Sequence, residues 1–102
     1  MIHAEISIYP IGTSTTSSSF YIARAIESIK DIKEVNYQVT AMGTILESDS
    51  IEKIYQAAKS MMEVVHNLGV YRVEVILKID SRRDKEKTMQ QKLDAVNKYL
   101  KE

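Results

Sequence analysis

The chain has 102 residues, 44% apolar and 27% charged, with Lys and Arg balanced by Asp and Glu to a net charge of zero. This is the size and balance of one globular domain, without the cationic surplus of a general polyanion binder. The lack of Cys excludes disulfides, thiolate catalysis and Cys-based metal sites, and no apolar run approaches the roughly 18 residues of a membrane span.

The chain reaches Glu5 with no charged-then-apolar leader before it, so a soluble cytoplasmic protein is expected. Ile2, Ala4, Ile6 and Ile8 alternate with His3, Glu5, Ser7 and Tyr9. Period-two alternation predicts a strand with one buried and one polar face. Pro10 has no N–H for a ladder and is expected to end it. The hydroxyl tract from Ser14 to Ser19 reads as a loop entering a helix over residues 20–32. Ile22, Ala25, Ile26, Ile29 and Ile32 form its apolar stripe, with Ser17 or Ser19 as the cap.

Val35, Tyr37 and Val39 alternate with Asn36, Gln38 and Thr40 in a second strand. Ala41, Met42 and Gly43 are expected to hold a tight turn or bulge, since glycine tolerates a positive φ. Residues 44–47 then return as a third, antiparallel strand. Asp49 and Glu52 read as a variant capping box. Behind them Ile51, Ile54, Tyr55, Ala58, Met61, Met62, Val65 and Leu68 hold helical spacing up to a stop at Gly69. A fourth strand starts at Val70 or Tyr71, with Val73, Val75, Leu77 and Ile79 on one face. Arg72, Glu74, Ile76, Lys78 and Asp80 lie on the other. Thr88 and Gln91 form a second capping box. Met89, Leu93, Val96 and Leu100 then trace a narrow seam of the kind that packs along a partner.

The order predicts an α+β fold over residues 1–102: a ferredoxin-like βαββαβ sandwich, four-stranded and antiparallel, with an extra C-terminal helix. Both βαβ helices cover one sheet face. The other, carrying Ile45 or Leu46, Ile76 and Tyr9, is expected to be uncovered. An uncovered, partly apolar face and a narrow seam together predict a homo-oligomer.

Few residues invite chemistry. Neither phosphate-cradling glycine motif is present, and none of the serines sits in a G-x-S-x-G elbow. His3 and His66 are far apart in sequence, and a metal site normally takes three or four ligands, so they read as unrelated. The cluster from Arg82 to Lys85 reads as a turn held by its own opposite charges. No aromatic and basic strand pattern of an RNA-binding sheet is present. What remains is the row Glu5, Ser7, Tyr9: a carboxylate for a cation or amino group, a hydroxyl for ring nitrogens and an aromatic for stacking. The same row also reads as a solvated face, with Glu5 opposite Lys78 or Arg72.

Several stretches, in order, resemble one known family. They are residues 4–13 (AEISIYPIGT), Ser17 to Ile22, Tyr37 to Thr40, Met42 to Glu47, Gly69 to Val73 and Lys78 to Lys85. Together they resemble the thiamine-binding-protein family, in the YkoF-like superfamily of small ferredoxin-like proteins. The resemblance implies subunits whose sheets associate into homodimers or homotetramers. It further implies a cytoplasmic protein, not an enzyme and without a cofactor, that binds thiamine or its hydroxymethylpyrimidine moiety and serves salvage or transport. No nucleic-acid or membrane partner is implied. Such a ligand matches Glu5 or Glu47 for the charge or amino group, and Ser7, Thr40 and Thr44 for ring nitrogens. Tyr9, Tyr37 or Met42 suit the ring faces. The alternative is a structural or regulatory homo-oligomer of the same fold with no thiamine affinity.

Overall fold

A computed structural model describes residues 1–100. The elements are β1 (Ile2–Ile11), α1 (Ser19–Glu27), β2 (Asn36–Val39), β3 (Thr44–Ser48), α2 (Ile51–Asn67), β4 (Arg72–Ser81) and α3 (Met89–Asn97). The strands form one antiparallel sheet in the order β2-β3-β1-β4. This is the expected ferredoxin-like βαββαβ order, with β1 and β3 central and a C-terminal helix added.

The alternation of β1 decides the two faces. Ala4, Ile6 and Ile8 are buried. Register sets Leu46 and Ile79 beside Ala4, and Thr44 and Leu77 beside Ile6. Onto this face α2 packs Ile54, Ala57, Met61 and Val65, and α1 packs Ala25. Each large apolar side chain removed from water here contributes about 1.5–3 kcal/mol. The opposite face carries His3, Glu5, Ser7 and Tyr9 beside Ile45 and Glu47 of β3 and the even-numbered residues of β4.

Several expectations are corrected. Pro10 does not end β1, which runs on to Ile11 with Pro10 opposite Val73. Pairing with β3 has already stopped at Ile6, so Pro10 lies where β1 has one neighbour only, and proline is tolerated there. The α1 helix stops at Glu27, and just beyond it the Ser28 hydroxyl donates to the Ala25 carbonyl at 2.6 Å. The chain then tightens to three-residue hydrogen bonds, such as Ile32 N–H to Ile29 O, while Ile29 stays buried. The cap position is Ser18, which makes no side-chain capping bond; the Ser17 hydroxyl accepts the Ser19 N–H at 3.4 Å. Ser50, not Asp49, caps α2, its hydroxyl accepting the Lys53 N–H. Ala57 joins the α2 core line, whereas Tyr55 and Leu68 are exposed.

The uncovered face is not bare. The α3 helix starts with the expected Thr88–Gln91 capping box and docks at one end of it. Its Met89 N–H donates to Glu47 at 2.6 Å and Lys92 donates to Asp80 at 2.7 Å. Leu93, Val96 and Leu100 of its seam stay exposed.

Candidate functional site

The site arises because β1 outlasts β3. Pairing with β3 ends at Ile6–Thr44, while pairing with β4 continues to Ile11–Arg72. Beyond Ile6, the β1 backbone groups turned toward the β3 side lack a ladder partner, and such groups seek one. Into this notch fold the β2–β3 hairpin, the start of α1 and the middle of α2. They enclose a cleft of about 220 Å³, reached by Ser7, Tyr9, Ser18, Thr40, Met42 and Thr44, with Ile6, Ile8, Ile22 and Met61 as its apolar wall.

Gly43 sets how tightly the hairpin lies on β1. A Cβ there would stand 3.0 Å from Ser7 Oγ, 3.1 Å from the Ile6 carbonyl oxygen and 3.3 Å from Glu5 Cγ. Its φ is not left-handed, so close approach and not turn geometry requires the glycine, which corrects the expectation of a positive φ. The approach lets Ser7 Oγ donate to the Met42 carbonyl at 3.2 Å. Thr40 staples the loop. Its hydroxyl donates to the Gly43 carbonyl at 2.7 Å and accepts the N–H groups of Met42 and Gly43.

Thr40 therefore lines the cleft with its hydroxyl already engaged. Thr44 is the reverse: it is buried, and its hydroxyl makes no hydrogen bond among the described residues. The Ser18 hydroxyl is likewise free of a capping bond. Met42, 82% exposed, stands at the mouth, and half-exposed Tyr9 lies on the open-face side. Hydroxyls on one wall and aliphatic side chains on the other suit a small flat ring with a hydrogen-bonding edge. No charged side chain lines this cleft.

The remaining sequence-selected residues lie elsewhere. Glu5 is exposed on the open face, opposite Ile45 and Lys78, with its stem beside Gly43 and no ion-pair partner among the described residues. Tyr37 lies on the helix-covered face beside Leu46 and packs against the core. Glu47 is 5% exposed and faces the other end of the sheet. There it lies 2.9 Å from His3 Nε2 and accepts from Asn36 at 3.1 Å and from the Met89 N–H. Burial pushes its carboxyl up, but these hydrogen bonds together hold it below the ordinary value. Among the described residues no group of three or more His, Asp or Glu side chains is placed to hold a metal. His66 Nδ1 instead lies 2.8 Å from the Val70 carbonyl oxygen.

Ser18, Ile22 and Met61 join the cleft, although the sequence marks Ile22 and Met61 only as core and Ser18 only as part of a hydroxyl tract. The notch that gathers them depends on where β3 stops, which the composition of β1 does not reveal.

Fold and cleft define a small ferredoxin-like α+β domain with one notch between its central strands. The chain belongs to the family described as thiamine-binding protein, whose model matches residues 4–97. The UPF0045 protein of Methanothermobacter thermautotrophicus is 39% identical over 98% of this chain and all of its own length. The UPF0045 protein YqgV of Bacillus subtilis is 34% identical over 98% of each chain. The crystal structure of the Methanocaldococcus jannaschii protein MJ1052 superposes with a TM-score of 0.85 at 42% identity, covering 94% of this chain and 95% of that one. A Thermotoga maritima structure, named provisionally as a thiamine biosynthesis/salvage protein, has a TM-score of 0.74 and covers 93% of this chain and 97% of that one. At 21% identity it shows the fold alone. No helix among the described residues is long and apolar enough to cross a membrane.

Proposed function

We propose that this chain is a cytoplasmic, non-enzymatic binder of thiamine or its hydroxymethylpyrimidine moiety, a single domain that works as a homo-oligomer. The observation that carries the reading is the cleft at the end of β3, in a chain of the thiamine-binding-protein family. An aminopyrimidine fits its two-sided chemistry. Thr44 and Ser7 supply oxygens for the ring nitrogens and amino group, while Ile22, Met61 and Met42 supply apolar cover. Tyr9 packs at the mouth.

Its volume of about 220 Å³ lies under the roughly 300–1,000 Å³ of pockets that enclose a whole drug-sized ligand. One ring therefore occupies the cleft, and the rest of a larger ligand lies over the open face. The cationic ring of thiamine then comes beside Glu5, exposed and without an ion-pair partner. Thr40, Tyr37 and Glu47 act behind this site, in the hairpin, the core and the α3 dock.

Calorimetric titration with thiamine, hydroxymethylpyrimidine and thiamine phosphate tests the reading. Saturable heat with at least one of them is the expected result, weakened by Glu5→Ala for thiamine more than for the uncharged pyrimidine. No heat with any of the three, from folded protein, favours the second reading: an oligomer without thiamine affinity. The exposed α3 seam of Leu93, Val96 and Leu100 is what speaks for that reading.

A further inference from the structure

We propose that the main chain of Ile8 is the recognition element of the cleft: its N–H and C=O together take the edge of a planar ring on which a hydrogen-bond acceptor stands next to a donor. This rests on the reading of the cleft as an aminopyrimidine site and names the groups that select that edge.

The pairing of β1 fixes which way its backbone points. In an antiparallel ladder each residue turns both its N–H and its C=O to one neighbour, and the next residue turns both to the other. The Ile6 carbonyl oxygen lies 3.1 Å from where a Cβ of Gly43 would stand, so Ile6 faces the β3 side, where it is paired with Thr44. Ser7 and Tyr9 therefore face β4, opposite Ile76 and Glu74, and Ile8 faces the β3 side again. By Ile8 the pairing with β3 has ended. In a continued ladder the Ile8 N–H would donate to the Met42 carbonyl. That carbonyl instead accepts from Ser7 Oγ at 3.2 Å. Among the described residues neither the loop backbone nor any side chain bonds the N–H or the C=O of Ile8. Ile8 is 4% exposed and lines the cleft, so the pair opens into the cleft and not into bulk water. A buried donor and acceptor without partners are unfavourable, and a ligand that pairs both removes that penalty.

Pro10 limits what this edge accepts. It is the next residue turned to the β3 side, and it has no N–H. A strand added here finds a donor at Ile8 and none at Pro10, whereas a single ring needs only the Ile8 pair. The N–H and C=O of one extended residue point the same way and lie side by side. A ring nitrogen and an amino group on the neighbouring carbon match that arrangement: the Ile8 N–H donates to the nitrogen, and the Ile8 C=O accepts from the amino group. The Thr44 and Ser7 hydroxyls then serve the second ring nitrogen and the second amino hydrogen, while Ile22 and Met61 cover the ring. No charged side chain lines the cleft to compete for these neutral bonds.

Amide hydrogen exchange and NMR titration of the labelled chain test this. Without ligand, the Ile8 amide is expected to exchange faster than the amides of Ser7 and Tyr9, which β4 protects. Saturation with hydroxymethylpyrimidine is expected to move the Ile8 amide proton downfield and to slow its exchange. Two analogues each lose one bond: one has hydrogen in place of the amino group, the other carbon in place of the adjacent ring nitrogen. Each is expected to bind about tenfold more weakly. An Ile8 amide as protected as Ser7 and Tyr9 in the ligand-free chain overturns the proposal and leaves the aminopyrimidine reading standing. So does saturable binding that leaves the Ile8 amide unmoved, or a pair of analogues that bind as tightly as the parent. No saturable change anywhere in the folded chain overturns both.

Discussion

His3 and Glu47, forty-four residues apart in sequence, meet at 2.9 Å under the start of α3, both almost fully buried. The carboxylate ties three strands to a helix: β1 through His3, β2 through Asn36 and α3 through the Met89 N–H, with Glu47 itself on β3. A negative charge at a helix start is also favoured by the helix dipole.

Removing that carboxylate leaves buried donors without an acceptor. Glu47→Ala is expected to destabilise the fold by about 2–4 kcal/mol. Glu47→Gln, which keeps an oxygen for Met89, is expected to cost less. Urea unfolding at fixed protein concentration measures both. Ligand affinity of the folded Gln variant should match that of the parent, because Glu47 lies at the far end of the sheet from the cleft.

The same group fixes a pH dependence. Its carboxyl is held below the ordinary 4.5 in the folded chain, so the unfolded chain binds the proton more readily. The contribution is complete above that value and is lost as pH falls from it through the folded value. Stability of the parent should therefore drop more steeply than that of Glu47→Gln below about pH 4.5, as followed by thermal unfolding across an acid series. Parallel curves contradict this placement of the charge.

Gly43→Ala tests the contact between hairpin and β1. Ser7 can rotate away from a new methyl, but the Ile6 carbonyl at 3.1 Å is backbone and cannot. The hairpin must lift, at about 1–2 kcal/mol. Loss of stability together with weaker ligand binding is expected; a variant unchanged in both shows that the approach is not needed.

Thr44 and Thr40 separate a ligand contact from a structural one. Thr44→Val replaces a hydroxyl that has no protein partner, so the fold should hold while affinity falls about tenfold, the worth of one hydrogen bond. Thr40→Val removes three loop hydrogen bonds and should lower the melting temperature. Calorimetry and thermal melts on the pair give the comparison.

Much of the fold is legible in the sequence because its signals are periodic. The alternation from Ile2 to Tyr9, the spacing of Ile54, Met61 and Val65, and the Thr88–Gln91 box each state an element through local physics. The site is less legible because it depends on ends and partners. Ser7, Tyr9, Thr40, Met42 and Thr44 do converge, and the family resemblance marks the stretches that hold them. Glu47 looks like a free carboxylate until His3 and Met89, distant in sequence, are seen to claim it. Tyr37 shares strand alternation with a ligand face, but register turns it to the core beside Leu46. Gly43 is visible as a turn glycine; that it stands against Ser7 and Ile6 follows only from the pairing of two strands.

The most direct test of the cleft is residue-resolved: amide and methyl NMR spectra of the labelled chain, titrated with hydroxymethylpyrimidine and then thiamine. Binding in the cleft predicts saturable shifts at Ser7, Tyr9, Ser18, Met42, Thr44 and the Met61 methyl, with Glu5 added for thiamine, and little change at Glu47 or in α3. Saturable shifts centred on α3 or on the far end of the sheet, with the cleft silent, would contradict it.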